Sequence, residues 1–565
     1  MNKPYALYNQ CPEFKNMREL LYDRTKNFKS KICLSYREAG SRSEKISITY
    51  SAFRHQVVAL GTELLSRGLA NVHCALIGKL SYDWVLCYMA LLSIGSVLVP
   101  LDPDWHTDDL ADVVKNADCK FIISDASIET QVIADAAEID SNNLFSTSGG
   151  SFTTITELAA LGAKKLAAND TSFDNAEIDP TKLALLVYTS GTTGKGKGVM
   201  LSQKAILSNV ANALKILTAG EKFVAVLPPH HTFGSTISLV APFCLGAEVY
   251  ISSGVKYVQR ELFEEKPDSM ILVPLYLEAF YRKIQKTLHE RNKEKLVGTM
   301  IGVSNTARKV GINLSDKLFA AILEPFGGRL QTIACGGAPM SPEIFHFFSS
   351  IGITLINGYG ITECAPLISA NRNKHIIPGT VGMPIPCDKV KIDSPDQNGE
   401  GEICVKGPNV MLGYYNNPEA TAEVFDKDGF FHTGDYGRLD DEGWIYITGR
   451  KKNLIILSNG KNVYPEEIEA DLQKVEGVSE VVVYAGESRV QKDKITIVAE
   501  IFPDADFLAH RGIADAQKYF EEQVKLINDR MPPYKAVKRV KLRDVEFQKN
   551  TSRKITRFSI DKTID

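Results

Sequence analysis

Apolar positions recur every three or four residues over 51–68, and they set Phe53, Val57, Leu60, Leu64 and Leu65 on one helical face. Short apolar runs then alternate with helical spacing. Strands are predicted at 73–77, 97–101 and 120–124, with helices at 82–93 and 107–117 between them. Alternating βα units of this length imply a parallel sheet covered by helices. Residues 142–180 are polar and irregular and are expected to be a surface connection. The alternation then resumes, with a strand at 183–188, a helix at 202–217 and strands at 223–227, 248–252, 270–274, 330–334 and 354–356. Each of these later strands ends near a turn rich in Gly or Pro, and ligands gather outside such strand ends in open α/β sheets. From 381 to 449 the period shortens to small alternating strands with close turns, which suggests a β-barrel-like module. The remaining tail, with a helix near 465, strands at 480–484 and 495–501, a helix at 514–530 and a final basic strand, makes an α+β domain of about 115 residues.

Composition narrows this picture more than it extends it. A chain of 565 residues exceeds one core, and 44% hydrophobic with 24% charged residues is the balance of a soluble globular protein. A net charge of -3, with basic residues dispersed, gives no face for nucleic acid. The ten cysteines show no CxxC pair and no histidine at metal-ligand spacing, so they read as small buried hydrophobes in a reducing compartment. Residues 84–101 carry no charge over a length that could span a bilayer. Ser93, Gly95, Ser96 and Pro100 break that stretch into helix, turn and strand, so it reads as buried core.

The stretch LALLVYTSGTTGKGKGV at 183–199 is neither ordinary core nor ordinary surface. A strand-like run opens into Thr189, Ser190, Gly191, Thr192, Thr193, Gly194 and a lysine-glycine alternation that includes Lys197. Glycine backbone can approach an anion closely, hydroxyls and amides donate to its oxygens, and lysines neutralise it. Gly191, Gly196 and Lys197 fit the P-loop spacing. The next residue is Gly198, however, so the hydroxyl that would ligand magnesium is missing and the P-loop is rejected.

TSGTTGKGKG resembles instead the phosphate loop of the adenylate-forming superfamily, which includes acyl-CoA synthetases, aryl ligases, luciferases and peptide-synthetase adenylation domains. Other segments resemble the same family. In LINGYGITECAP, covering Asn357, Gly358, Tyr359 and Gly360, the resemblance puts Tyr359 against adenine, Thr362 on the α-phosphate and Glu363 on Mg2+. CGGAP resembles the adenine-side turn, through Gly336, Gly337, Ala338 and Pro339. FHTGDYG and TGRKKN supply Asp435 and Arg450 for the ribose and Lys452 for a hinge. LPPHHTFG places His231 beside the acyl channel, with His230 as a packing histidine. KNTSRKITR supplies Lys554, which would bridge the substrate carboxylate and the α-phosphate. Gly460 and Lys461 match a segment along the thiol's entry path. Two departures stand out. Arg553 replaces the usual Gly before the lysine, and Gly196 replaces a usual Pro, which is expected to loosen the phosphate loop.

The segments around PGTVGMPIP, GPNVMLGYYNNPEAT and NGKNVYPEEIE narrow the resemblance to long-chain fatty acyl-CoA synthetases. It implies an α/β fold: a large N-terminal body of helix-covered mixed sheets with the β-barrel-like module (1–449), hinged at 450–452 to a mobile α+β domain (453–565). It also implies ATP, Mg2+ and coenzyme A, and activation of a fatty acid to acyl-AMP followed by transfer to a thiol. An acyl carrier protein as acceptor and an aryl acid as substrate stay open as alternatives. The chain is expected in the cytoplasm as monomer or homodimer, and peripheral membrane contact is compatible with a long-chain substrate.

Overall fold

Strands predicted from short apolar runs come together in two large parallel-cored sheets. The computed structural model describes residues 7–38, 43–189, 196–309, 311–373, 375–457, 462–487, 496–549 and 555–564. These fall into two compact units, 7–189 with 196–389 and 405–431 in the first, and 390–404 with 432–564 in the second.

The first unit holds both large sheets. One has eight strands, with His73–Ile77 at its centre pairing in parallel with Val97–Leu101 and Phe121–Ser124. The phosphate-loop hairpin lies further along the same sheet. Its strands Leu183–Thr189 and Lys197–Ser202 pair antiparallel, with Tyr188 opposite Gly198 and Thr189 opposite Lys197, and the short strand Gly413–Tyr414 adds to its edge. The nine-stranded sheet pairs Glu248–Ile251, Lys222–Ala225, Ser269–Leu272, Thr332–Cys335 and Thr354–Gly360 in parallel, then turns antiparallel at Leu367–Ala370.

Helices form where the apolar spacing places them. Tyr50–Ser66 buries Phe53, Val57, Leu60 and Leu64 completely, and Thr49 caps its start by accepting from the Ala52 N–H. Tyr82–Ser93 is buried at every residue but Asp83, which accounts for the uncharged stretch as core. No helix among the described residues is long and apolar enough to cross a membrane.

The region 142–180 departs from expectation. It contains the strands Leu144–Ser146 and Thr153–Thr154 and the helix Ile155–Ala167. That helix is nucleated by a reciprocal cap in which Thr154 accepts from the Glu157 N–H while Glu157 accepts from the Thr154 N–H.

Lys389–Asp393, Gly401–Lys406, Phe431–Leu439 and Ile445–Arg450, most of whose residues fall in the second unit, form a four-stranded sheet in linear order. The short strands expected at 381–449 are present, and the β-barrel-like module expected there is a four-stranded sheet in this structure. A second sheet joins Val478–Gly486, Thr496–Pro503 and Arg539–Leu542. The helices Pro465–Leu472 and Ala516–Asn528 contribute Ile468, Leu472, Phe520 and Val524 to the core that covers it, together with Val483 and Ile497.

Candidate active site

The strand Thr354–Gly360 ends in a single turn, Thr362–Cys364, that presents Glu363. This turn is held from behind by two buried asparagines. Asn209, on the helix Gln203–Ile216, donates its amide to the carbonyls of Cys364 and Leu367 at 3.0 and 2.7 Å. Asn409 donates to the same two carbonyls at 3.1 and 3.2 Å. Gly360 makes the return possible: a Cβ there would stand 2.1 Å from the Pro366 carbonyl oxygen, which accepts the Ile361 N–H. Gly360→Ala is therefore expected to open the turn and cost about 2–3 kcal/mol. Urea denaturation of wild type and variant measures that loss.

Glu363 is also held from the side. Tyr414 donates its hydroxyl to Glu363 Oε1 at 3.0 Å, and the Met411 N–H donates to the Glu363 carbonyl at 2.8 Å. The Lys197 ammonium lies 4.8 Å from the centre of the Tyr414 ring. Burial, with the neighbouring Glu363 carboxylate, pushes the Tyr414 hydroxyl well above the usual tyrosine pKa, so it stays a donor. The structure thus brings Lys197 and Glu363, far apart in sequence, to the same aromatic ring. Thr189 and Gly196 flank them at the hairpin mouth, and a Cβ on Gly196 would come within 2.7 Å of the Thr189 carbonyl oxygen. Gly196 therefore sits against backbone, which is the local circumstance in which this chain departs from the usual proline.

Among the described residues there is no cluster of three or more His, Cys, Asp or Glu that could hold a metal ion. A lone carboxylate whose partner ligands are phosphate oxygens and water still suits Mg2+, which keeps most of its waters and is bound through one or two carboxylates. Glu363, half-buried and with one oxygen already engaged, fits that role.

The segments that the resemblance assigns to adenine and to the acyl chain meet through Gly336, Gly358 and Phe233. Gly336 lies against Gly358: a Cβ on Gly336 would stand 3.0 Å from the Gly358 carbonyl oxygen and 3.5 Å from the Phe233 ring. Gly337, Ala338 and Pro339 are exposed beside it. Tyr359 is 7% exposed, in a strand residue paired with Ser369. Asn357 uses its amide on the Thr380 carbonyl at 3.0 Å, so its side chain ties down a neighbouring turn. His231 is half-buried and packs against His230 with ring centroids 4.3 Å apart and ring planes tilted by 56°. His230 is buried, and its Nε2 lies 3.3 Å from Oδ2 of Asp102. Asp102 follows the strand Val97–Leu101 and His230 follows Lys222–Ala225, so this pair links the ends of the two large sheets. An eight-residue π-helix, Phe233–Val240, starts after the histidines and Thr232, and π-helical turns are rare and frequent at functional sites.

In the second unit, Asp435 and Arg450 are paired across adjacent strands, with Nε to Oδ1 at 2.7 Å, the carboxylate buried and the guanidinium half-exposed. Lys452 sits in the single turn Lys451–Asn453, whose first lysine is tied to Glu402 at 2.7 Å. Ser190, Gly191, Thr192, Thr193, Gly194, Gly460, Lys461 and Lys554 lie outside the described residues.

Sequence reasoning missed Tyr414, Asn209, Asn409 and Asp102. Tyr414 stands in GPNVMLGYYNNPEAT, a segment noticed for subgroup resemblance only, and no local pattern says which of two adjacent tyrosines faces the carboxylate. Behind the turn, Asn409 also donates to Asp388 at 3.1 Å. Burial pushes the Asp388 carboxyl up to about 7, against the hydrogen bonds from Asn409 and Cys387. Between the unfolded carboxyl range near pH ~4 and that value, the folded chain keeps a proton the unfolded chain has lost, so this group's contribution to stability falls as pH rises. Asp388→Asn is expected to melt progressively higher relative to wild type between pH 5 and pH 8. Thermal unfolding of both proteins across that window measures the divergence.

The architecture is shared with solved enzymes that bind nucleotides. ATP-bound MatB from Rhodopseudomonas palustris superposes with a TM-score of 0.75 at 22% identity, covering 96% of this chain and 97% of that one. The o-succinylbenzoate CoA synthetase MenE from Bacillus subtilis, in complex with its acyl-adenylate intermediate, gives 0.71 at 21% identity, covering 96% and 97%. These likenesses define an α/β architecture of helix-covered sheets with a small α+β unit. Residues 21–415 match the family model for AMP-binding enzymes, and the chain belongs to that family. Its curated relatives include long-chain-fatty-acid–CoA ligase 5 of Rattus norvegicus, 30% identical over 84% of this chain and 73% of the relative. The mouse ligase 5 is 29% identical over 87% and 76%, and FadD15 of Mycobacterium bovis is 27% identical over 80% and 78%.

Proposed function

We propose that the protein activates a long-chain fatty acid with ATP and transfers the acyl group to coenzyme A. The observation that carries this reading is the meeting of Lys197 and Glu363 at Tyr414, beside the strand ends of the phosphate hairpin, in a chain whose relatives are named long-chain-fatty-acid–CoA ligases. A carboxylate is a poor electrophile because its leaving group would be oxide. Attack of its oxygen on the ATP α-phosphorus releases pyrophosphate and gives a mixed anhydride whose leaving group is AMP. The thiol of coenzyme A then attacks the acyl carbon, forming the thioester and releasing AMP.

Each residue has a place in this reading. Thr189 to Gly194 and Lys197 hold the β- and γ-phosphates, while Thr362 and Lys554 meet the α-phosphate as charge builds on it. Glu363 would hold Mg2+, which when bound neutralises phosphate charge. Gly336 to Pro339 and Tyr359 receive adenine, Asp435 accepts from the ribose hydroxyls with Arg450 orienting it, and His231 borders the acyl chain. Lys452 is the proposed hinge, and Gly460 and Lys461 border the thiol's path. Eight buried and two half-buried free cysteines support a reducing, cytoplasmic setting.

The test is ATP–pyrophosphate exchange across short-, medium- and long-chain acids and an aryl acid, followed by thioester formation with coenzyme A or an acyl carrier protein. Exchange supported by long-chain acids and coupled to coenzyme A is expected. Exchange with aryl acids alone, or none with any fatty acid, overturns the reading.

A further inference from the structure

Tyr414 touches both charged groups that the proposed function assigns to the ATP polyphosphate, and it does so through different parts of its side chain. Its hydroxyl occupies Glu363 Oε1 at 3.0 Å, and its ring face lies 4.8 Å from the Lys197 ammonium. The tyrosine is itself fixed. It pairs with Val199 on the edge of the phosphate hairpin, its N–H donates to Thr421 Oγ1 at 2.9 Å, and it is 8% exposed. The backbone of the next residue is held as well, the Tyr415 N–H donating to the Gly198 carbonyl at 2.8 Å.

We infer that Tyr414 is a positioning residue that presents Glu363 to the metal through Oε2 alone and holds the Lys197 ammonium at the hairpin mouth until phosphate takes it up. This rests on the reading of Glu363 and Lys197 given above. The physical basis is that a carboxylate oxygen already accepting a buried hydroxyl is a poorer metal ligand in that direction, so ligation becomes one-sided and the carboxylate rotor is fixed. Partners of this kind orient metal ligands, and their loss costs about 10–100-fold in metal affinity. A ring face attracts an ammonium without hydrogen-bonding it, so the lysine is retained near the site yet released without breaking a directional bond.

Two variants separate the two contacts. Tyr414→Phe keeps the ring and removes the hydroxyl. Tyr414→Leu removes both. Mn2+ binding in the presence of ATP, read from the loss of the free-ion electron paramagnetic resonance signal, reports the metal without turnover. ATP binding at saturating Mg2+, read by calorimetry, reports the phosphate contacts. Tyr414→Phe is expected to weaken Mn2+ binding about 10-fold with ATP binding at saturating Mg2+ unchanged. Tyr414→Leu is expected to weaken both. In a Glu363→Gln background, Tyr414→Phe should add nothing to the metal defect, and this comparison stands even if Tyr414→Leu fails to fold. Unchanged Mn2+ binding in Tyr414→Phe overturns the inference, as does an equal further loss in the Glu363→Gln background. If the wild-type protein itself binds no ATP–Mn2+, it is the assignment of Glu363 and Lys197 that fails, and the inference falls with it.

Discussion

Replacing Glu363 with Gln is expected to raise the Mg2+ concentration needed for half-maximal pyrophosphate exchange by about 100-fold and to lower the saturated rate as well. The substitution is nearly isosteric, and Gln can still accept the Tyr414 hydroxyl through its carbonyl oxygen, so the turn closed by Asn209 and Asn409 keeps its hydrogen bonds. Only the negative charge is removed. Mg2+ prefers anionic oxygen, and among the described residues no cluster of acidic side chains stands ready to replace this one. Titrating exchange against Mg2+ at fixed ATP, with an unfolding curve beside it, separates the charge effect from damage to the turn. An unchanged Mg2+ requirement would remove Glu363 from the metal.

Lys554→Ala is expected to lower acyl-AMP formation by about 10³-fold while leaving thioester formation from supplied acyl-AMP close to wild type. The two half-reactions differ in where charge develops. In the first, negative charge grows on the oxygens of a pentacoordinate phosphorus, and a fixed ammonium stabilises it. In the second, the thiol attacks a carbonyl whose leaving group, AMP, is already a good one. A lysine serving only the first step therefore shows a split defect. Equal loss in both half-reactions would mean that Lys554 acts on folding or on coenzyme A instead.

The central strands His73–Ile77 and Val97–Leu101 were legible because each is a short apolar run closed by Gly or Pro, and they and the helix between them, Tyr82–Ser93, have the bounds that the hydrophobic pattern predicts. The helix Ile155–Ala167 was not, because its apolar face is narrow and only Ile155, Leu158 and Gly162 are buried. The helices Pro274–Glu290 and Glu294–Lys309 were not placed either, since much of each is exposed and polar. For the candidate site, motifs pointed to Glu363, His231, Asp435 and Arg450, each of which stands in a short recognisable segment, and the structure pairs the last two across adjacent strands. They could not find Asp102 or Asn409, whose partners lie far away in sequence and are brought close by sheet order alone.

The two asparagines behind Glu363 also bear on how the protein ages. Asparagine deamidates when the backbone nitrogen of the following residue attacks its side-chain amide, and the aspartate that results is acceptor-only. At either position it would face the carbonyls of Cys364 and Leu367 with no proton to offer them, and the turn would be pushed apart. Val210, after Asn209, lies inside the helix Gln203–Ile216, and the Val410 N–H donates to the Gly407 carbonyl at 3.3 Å. Both attacking nitrogens are thus engaged and both successors are β-branched, so the clamp that sets the carboxylate is shielded from this slow chemical lesion during storage.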